Sequence, residues 1–295
     1  MIAACKSRST KRKRRRARRT KAEMATLCDA LYGFAAERKP ATCRHLFYCM
    51  TTAGHVAKTE GECKNTVNRL LVKMRRQGRI PYSWLTDNTR WRMKPDSFSS
   101  LADALAATQD SYRRALWDNQ DTYVEVWTEK DAISGILWPV TSRWDVPLMT
   151  ARGYASLSFL YSVAEDLKEI DKPAYLYYFG DHDPSGRDAR RCVEKTIREL
   201  APGVEVHFEL VAVTPEQIEE LGLPTRPTKT TDTRARGFKG ESVEVDAIAP
   251  AVLRALCDEC ITRHIDPIRL RQLRAVEDAE KVTLAEFMAG FAKEP

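Results

Sequence analysis

Along the first third of the chain, apolar positions recur at helical spacing; beyond residue 120 they gather into the short continuous runs of buried strands. Met24, Leu27, Cys28, Leu31, Phe34 and Ala35 predict a first helix, which Lys39-Pro40 ends. Thr42 is placed to cap a second helix carrying Leu46, Phe47 and Met50 near one face, with Gly54 as its stop. A third helix over residues 60–77 turns Val67, Leu70, Leu71 and Met74 inward and holds Lys64, Arg69, Lys73, Arg75 and Arg76 largely on other faces, until Gly78. Arg79-Ile80-Pro81-Tyr82 then reads as a short extended piece.

Residues 96–120 predict a long connecting helix with Leu101, Leu105, Tyr112 and Leu116 as its inward row. The texture then changes. Strand-like Tyr123-Val124-Glu125-Val126-Trp127 precedes a helix over residues 130–138, a short strand at 146–149 and a helix over 155–167. The nearly continuous apolar run from Ala174 to Phe179 precedes a helix near 186–200 and a strand over 204–213. Strands alternating with helices predict an α/β fold: a mostly parallel sheet with flanking helices. The tail from 249 to 291 reads as helical, broken at Asp266-Pro267.

Charge divides the chain of 295 residues more sharply than the net +7 suggests. Residues 1–21 hold 11 Lys or Arg and no acid, residues 22–95 are net +7, and residues 96–295 are net −11. The first block predicts a disordered basic arm suited to a polyanion, with a solvated tail or a nuclear-import signal as the plainer readings. A basic third helix followed by a wing is the pattern of an α-rich winged helix-turn-helix that lays that helix on double-stranded DNA, although such a face also serves merely to be solvated. No apolar run approaches a membrane span and no secretory signal is read, so a soluble protein without a membrane partner is expected. The expected setting is the cytoplasm, beside the nucleoid, or the nucleus of a eukaryote. Eight scattered cysteines suit reduced thiols, and Cys257-x-x-Cys260 reads as core packing.

The candidate chemistry sits where an α/β sheet places its ligands, just after strands. Glu129 follows the run 123–128, and Gly180-Asp181-His182-Asp183-Pro184-Ser185-Gly186 follows the run 174–179. If those strands are neighbours, Glu129, Asp181 and Asp183 converge as the hard-oxygen set that Mg²⁺, or Mn²⁺ in its place, prefers. Each feature has a plainer reading: Asp-x-Asp-Pro-x-Gly is good turn chemistry, and a Glu that opens a helix complements its dipole.

Together these stretches resemble a Toprim domain, and the variant is similar to that of the topoisomerase VI A subunit and its meiotic break-forming relatives. Gly153-Tyr154-Ala155-Ser156, Thr214-Pro215-Glu216-Gln217-Ile218 with Leu223-Pro224, and Ser242-Val243-Glu244-Val245-Asp246-Ala247 resemble further family stretches. Thr42-Cys43-Arg44-His45-Leu46-Phe47-Tyr48 resembles the winged-helix segment that bears the family's catalytic tyrosine. The likeness spans about Pro40 to Ile265 and excludes the basic arm. It implies a winged-helix domain at 22–95, a linking helix at 96–120, a Toprim domain at 121–265 and a helical extension at 266–295.

The resemblance further implies Mg²⁺-dependent DNA cleavage, with Tyr48 attacking a phosphodiester to give a 5′-phosphotyrosyl link. A tyrosine hydroxyl, with a pKa of about 10, is a poor nucleophile without help. Arg44, one helical turn before Tyr48, is the candidate to stabilise the phosphate, and Lys130 and Arg187 are further candidates for phosphate contact. The plain alternative is that Tyr48 packs beside Phe47, which stands where family members often carry a second tyrosine. One nucleophile per chain implies a homodimer for double-strand cleavage, and the lack of an ATPase signature implies a separate ATPase subunit or an SMC-like complex as partner. Two rivals stay open: a Toprim nuclease that uses metal-activated water, and a DNA-binding protein whose acidic motif is structural.

Overall fold

The computed structural model describes residues 19–86, 95–228, 238 and 240–291. The basic arm expected over 1–21 therefore lies outside the described residues except for its last three. Arg19 reaches both Glu62 carboxylate oxygens at 3.0 Å and Thr66 Oγ1 at 3.1 Å. Thr20 then opens α1 (Lys21–Glu37) through a capping box with Glu23. Leu27, Leu31 and Ala35, one turn apart, form its buried row.

β1 (Ala41–Thr42) leads straight into α2 (Cys43–Thr52), where Thr42 Oγ1 accepts the His45 N–H at 3.1 Å. Gly54 takes the left-handed φ of +73° that turns the chain after α2. α3 (Glu60–Glu62) runs through a π-helical stretch (Cys63–Asn68) into α4 (Arg69–Arg76). Val67, Leu70, Leu71 and Met74 face a core shared with α1 and α2, while Lys64, Arg69, Lys73 and Arg76 are exposed.

The extended piece expected at Arg79–Tyr82 is displaced. Pro81 O accepts the Trp84 N–H at 3.1 Å and closes a 3₁₀ turn over Tyr82–Trp84, so the strand begins only at β2 (Leu85–Thr86). β2 pairs in parallel with β1. The connecting helix expected over 96–120 is also corrected, to α5 (Leu101–Ser111) and a separate 3₁₀ turn at Leu116–Asn119. Tyr112 is drawn out of the helix into an extended conformation, where its hydroxyl donates to Glu280 at 2.7 Å. Of the expected inward row only Leu116 is buried, and Leu101 is 67% exposed.

The α/β body follows as β3 (Tyr123–Thr128), α6 (Asp131–Thr141), β4 (Leu148–Thr150), α7 (Leu157–Glu169), β5 (Ala174–Phe179), α8 (Pro184–Leu200), β6 (Val206–Ala212), α9 (Pro215–Glu220), α10 (Pro250–Thr262) and α11 (Pro267–Phe291). The sheet is wholly parallel, in the order β4-β3-β5-β6. Alternation along the strands feeds two cores. Val124, Val126, Tyr177 and Phe179 pack with Ile133, Leu137, Leu253 and Cys257, under α6 and α10. Trp127, Leu176 and Tyr178 pack with Leu160, Val163, Val193 and Ile197, under α7 and α8. Cys257 and Cys260 are buried in the first of these cores, where burial pushes the Cys260 thiol up to about 12. No described helix is long and apolar enough to cross a membrane.

Candidate functional site

The register of the two central strands builds the site. Thr128 lies opposite Phe179, so Glu129 and Gly180 leave the sheet side by side, and the Glu129 N–H donates to Phe179 O at 3.0 Å. Glu129 Oε2 turns back to accept the Asp181 N–H at 3.0 Å. The glycines of the motif allow this approach. A Cβ on Gly186 would stand 2.5 Å from the Asp181 carbonyl oxygen and 3.0 Å from Glu129 Oε2, and one on Gly180 would stand 3.1 Å from the same oxygen.

Asp183 caps α8. Its Oδ1 accepts the Gly186 N–H and the Ser185 hydroxyl, both at 2.8 Å, and Pro184 fills the first helical position, where no N–H is needed. His182 pairs with Val243 by two backbone hydrogen bonds of 2.9 and 3.0 Å, and this brings the segment 242–247 across the site. The Val245 N–H donates to Asp181 Oδ1 at 2.9 Å. Glu244 and Asp246, on either side of Val245, both face Lys130.

Lys130 is the hub of the resulting cluster. Its ammonium stands 2.8 Å from Asp181 Oδ2, 3.0 Å from Asp246 Oδ2 and 3.2 Å from Glu244 Oε2, and its side chain is 22% exposed. Arg44, from α2, pairs with Glu244 and reaches Asp246 Oδ2 at 3.5 Å. Arg226 bridges Glu244 Oε1 at 3.0 Å and Asp183 Oδ2 at 3.5 Å. Tyr48 is 3% exposed, packs its ring 5.5 Å from that of Phe47 and lies beneath the Lys58 ammonium at 5.4 Å.

Proton affinities split along the cluster. Burial and the adjacent charges of Asp181 and Asp183 push the Glu129 carboxyl up to about 7, against the Asp181 N–H and Lys130. Burial likewise raises Asp181, opposed by Lys130 and the Val245 N–H. For Glu244, burial is outweighed by Lys130, Arg44 and Arg226, which together hold it down at about 2. Burial also opposes the charges of Lys130 and Arg44, yet the surrounding carboxylates raise both above their ordinary values. Burial, the Glu244 charge and a hydrogen bond to that carboxylate push the Tyr48 hydroxyl up, with Arg44 and Lys130 pulling the other way.

Of the residues read from the sequence, the fold brings Glu129, Lys130, Asp181 and Asp183 together and adds Arg44 and Tyr48 from α2. Lys64, Arg69, Lys73, Arg75 and Arg76 lie on the α3–α4 run. There Lys64 pairs with Glu60 at 3.0 Å, and the Arg75 guanidinium lies 4.6 Å from the Tyr82 ring centroid. Arg187 lies over the Phe238 ring at 5.7 Å. The sequence reading missed Glu244, Asp246 and Arg226 as site residues. Glu244 and Asp246 stood in a stretch quoted only for its resemblance, and nothing marked Arg226.

The donor set suits a hard divalent cation in kind, being three carboxylates of which Glu129 is crowded by like charge. Its spacing is not closed, since Asp181 is engaged by Lys130 and Val245, and among the described residues no three such groups stand at ligating distance. No protein-family model matches the chain, and no curated protein does.

Proposed function

We propose that the protein is a divalent-metal-dependent DNA strand-cleaving enzyme of the topoisomerase VI A type, with Tyr48 as its nucleophile. One observation carries the reading: Arg44 and Tyr48, one turn apart on α2, reach the same ion cluster as the Glu129 and Asp181 carboxylates at the ends of two adjacent parallel strands. On this reading the sheet is of the Toprim type and the N-terminal helices are a winged helix-turn-helix whose basic third helix meets the DNA backbone. Glu129, Asp181 and Asp183 would hold Mg²⁺ or Mn²⁺, which supplies Lewis acidity and a template for the phosphate. Arg44 would neutralise charge developing on the phosphate oxygens. The Tyr48 oxygen bonds to phosphorus as the P–O3′ bond breaks; the hydroxyl proton is lost to solvent and the leaving 3′ oxygen is protonated. Two copies would cut two strands, and a separate ATPase subunit or SMC-like complex would supply energy coupling.

A second reading keeps the carboxylates and replaces Tyr48 by water. The burial of Tyr48 and its raised proton affinity favour it. One denaturing-gel experiment separates the two, with end-labelled supercoiled and linear DNA, Mg²⁺ or Mn²⁺, and wild type beside Tyr48→Phe and Asp181→Ala. Label retained on wild type and lost in both variants supports the tyrosine. Cut ends made equally well by Tyr48→Phe but not by Asp181→Ala support hydrolysis, and no cutting with either metal leaves a DNA-binding protein.

A further inference from the structure

The seam between α2 and residues 244–248 does two things at once. It joins the N-terminal helices to the sheet, and it occupies the cations that a phosphate would need. Arg44, Lys130 and Arg226 all end on Glu244, and the first two also reach Asp246. Further polar bonds tie the halves nearby: His45 Nε2 to Ile248 O at 3.0 Å, Lys58 Nζ to Pro224 O at 2.5 Å, and the Tyr48 hydroxyl to the Glu244 carboxylate. Behind the ion pairs Tyr48 is shielded from solvent and held against the Glu244 carboxylate. An apolar seam of the same size would hold as firmly without ions, whereas ion pairs can exchange partners with another anion. Phosphodiester oxygens engage guanidinium and ammonium groups as carboxylates do, and a nucleic acid presents many of them in a row.

We propose that this ionic seam is a latch: in the free protein Glu244 and Asp246 hold α2, with its Tyr48, closed against the segment 244–246, and nucleic-acid phosphates open it by taking Arg44, Lys130 and Arg226. The latch concerns the regulation of the proposed cleavage site, and its consequence for activity rests on the reading of Tyr48 as nucleophile. Glu244 is then a positioning residue. Its ionised oxygens keep Arg44 from the phosphate path, and Arg44 must change partners before it can serve a transition state.

The test is amide hydrogen exchange on the full chain, read in peptides covering α2, α6 and α8, for wild type, Glu244→Gln and Glu244→Asp, with and without a short DNA duplex. Expected is exchange in α2 at least about tenfold faster in Glu244→Gln, and in wild type on adding duplex, with α6 and α8 unchanged and Glu244→Asp still protected. Should Glu244→Gln lose protection everywhere, Arg44→Gln breaks the same pair from the other side and is read in its place. Exchange in α2 that neither substitution nor duplex accelerates overturns the latch. A parallel covalent-adduct assay separates this inference from the reading beneath it. Release of α2 by duplex without adduct keeps the latch and removes Tyr48 as nucleophile, whereas adduct with α2 exchange unchanged removes the latch and keeps the nucleophile.

Discussion

Two groups of carboxylates lie side by side in this molecule and are held in opposite ways. Glu129 and Asp181, at the strand ends, are buried against each other with backbone N–H donors and one lysine, and their proton affinity rises. Glu244, across the seam, is also buried but meets three cations, and its affinity falls to about 2. Burial pushes the same way in both places, so the count of cations decides the sign. Lys130 touches both groups, and its removal breaks the comparison most sharply. Lys130→Met should cost roughly 3 to 5 kcal/mol, because Asp181 would lose its ammonium partner and Asp246 would be left with the longer pair to Arg44. Denaturant unfolding at neutral pH reads this, and a loss under about 1 kcal/mol would show that the cluster is wetter than described.

A further carboxylate extends the contrast away from the site. Glu125 lies inside the sheet, accepting from Trp127 Nε1 at 2.8 Å and the Tyr123 hydroxyl at 3.1 Å, and burial pushes it up to about 7. A carboxyl whose folded pKa exceeds its unfolded value costs stability as pH rises between the two, here from about 4.5 to about 7. Glu125→Gln should therefore be more stable than wild type at pH 8, by roughly 3 kcal/mol, and no more stable near pH 4. Glu244 carries the opposite sign: its contribution is present above about 4.5 and is lost as pH falls toward about 2. In Glu244→Gln, the acid limb of the stability curve should flatten. Melting curves across pH for the two variants read both slopes.

Smaller effects sharpen the picture. Gly186→Ala forces a methyl against the backbone oxygen of Asp181, which cannot swing away as a side chain could. It should cost about 1 to 3 kcal/mol in stability, and metal-dependent cleavage should fall further than stability does. At the small end is Lys64→Ala, since Lys64 makes an exposed pair with Glu60. Stability should change by less than about 0.5 kcal/mol, while the salt slope of DNA binding should drop by about 1 if the α3–α4 face meets phosphates. An unchanged slope in a filter-binding titration would leave that face merely solvated.

How much of this was legible depended on how local the cause was. The strand run at 174–179 is a continuous apolar stretch and that at 123–128 is interrupted by Glu125 before its final Thr128, so the acidic loop could be placed from the sequence, although α8 begins at Pro184, two residues before the expected start. Thr42 as a cap and Gly54 as a stop were equally local. The 96–120 segment was misread because Leu101, Leu105, Tyr112 and Leu116 share helical spacing while the chain leaves the helix at Tyr112, whose hydroxyl is held by Glu280 far along the sequence. The extended piece expected at Arg79–Tyr82 was misplaced because the 3₁₀ turn at Tyr82–Trp84 shows no period. Glu244 escaped notice for the same kind of reason, since its partner Arg44 lies 200 residues away.

The sheet has two rims, and each is protected by a different means. A strand paired on one side only offers a row of free N–H and C=O groups to any extended chain that drifts past. β4 limits that offer by being three residues long. β6 is longer, and it places exposed His207 and Glu209 along its length, with Arg263 reaching over to Glu209 at 3.4 Å. These polar side chains act as gatekeepers against strand-to-strand stacking between copies. Valine at both positions would leave the fold nearly intact and make the purified protein prone to aggregation.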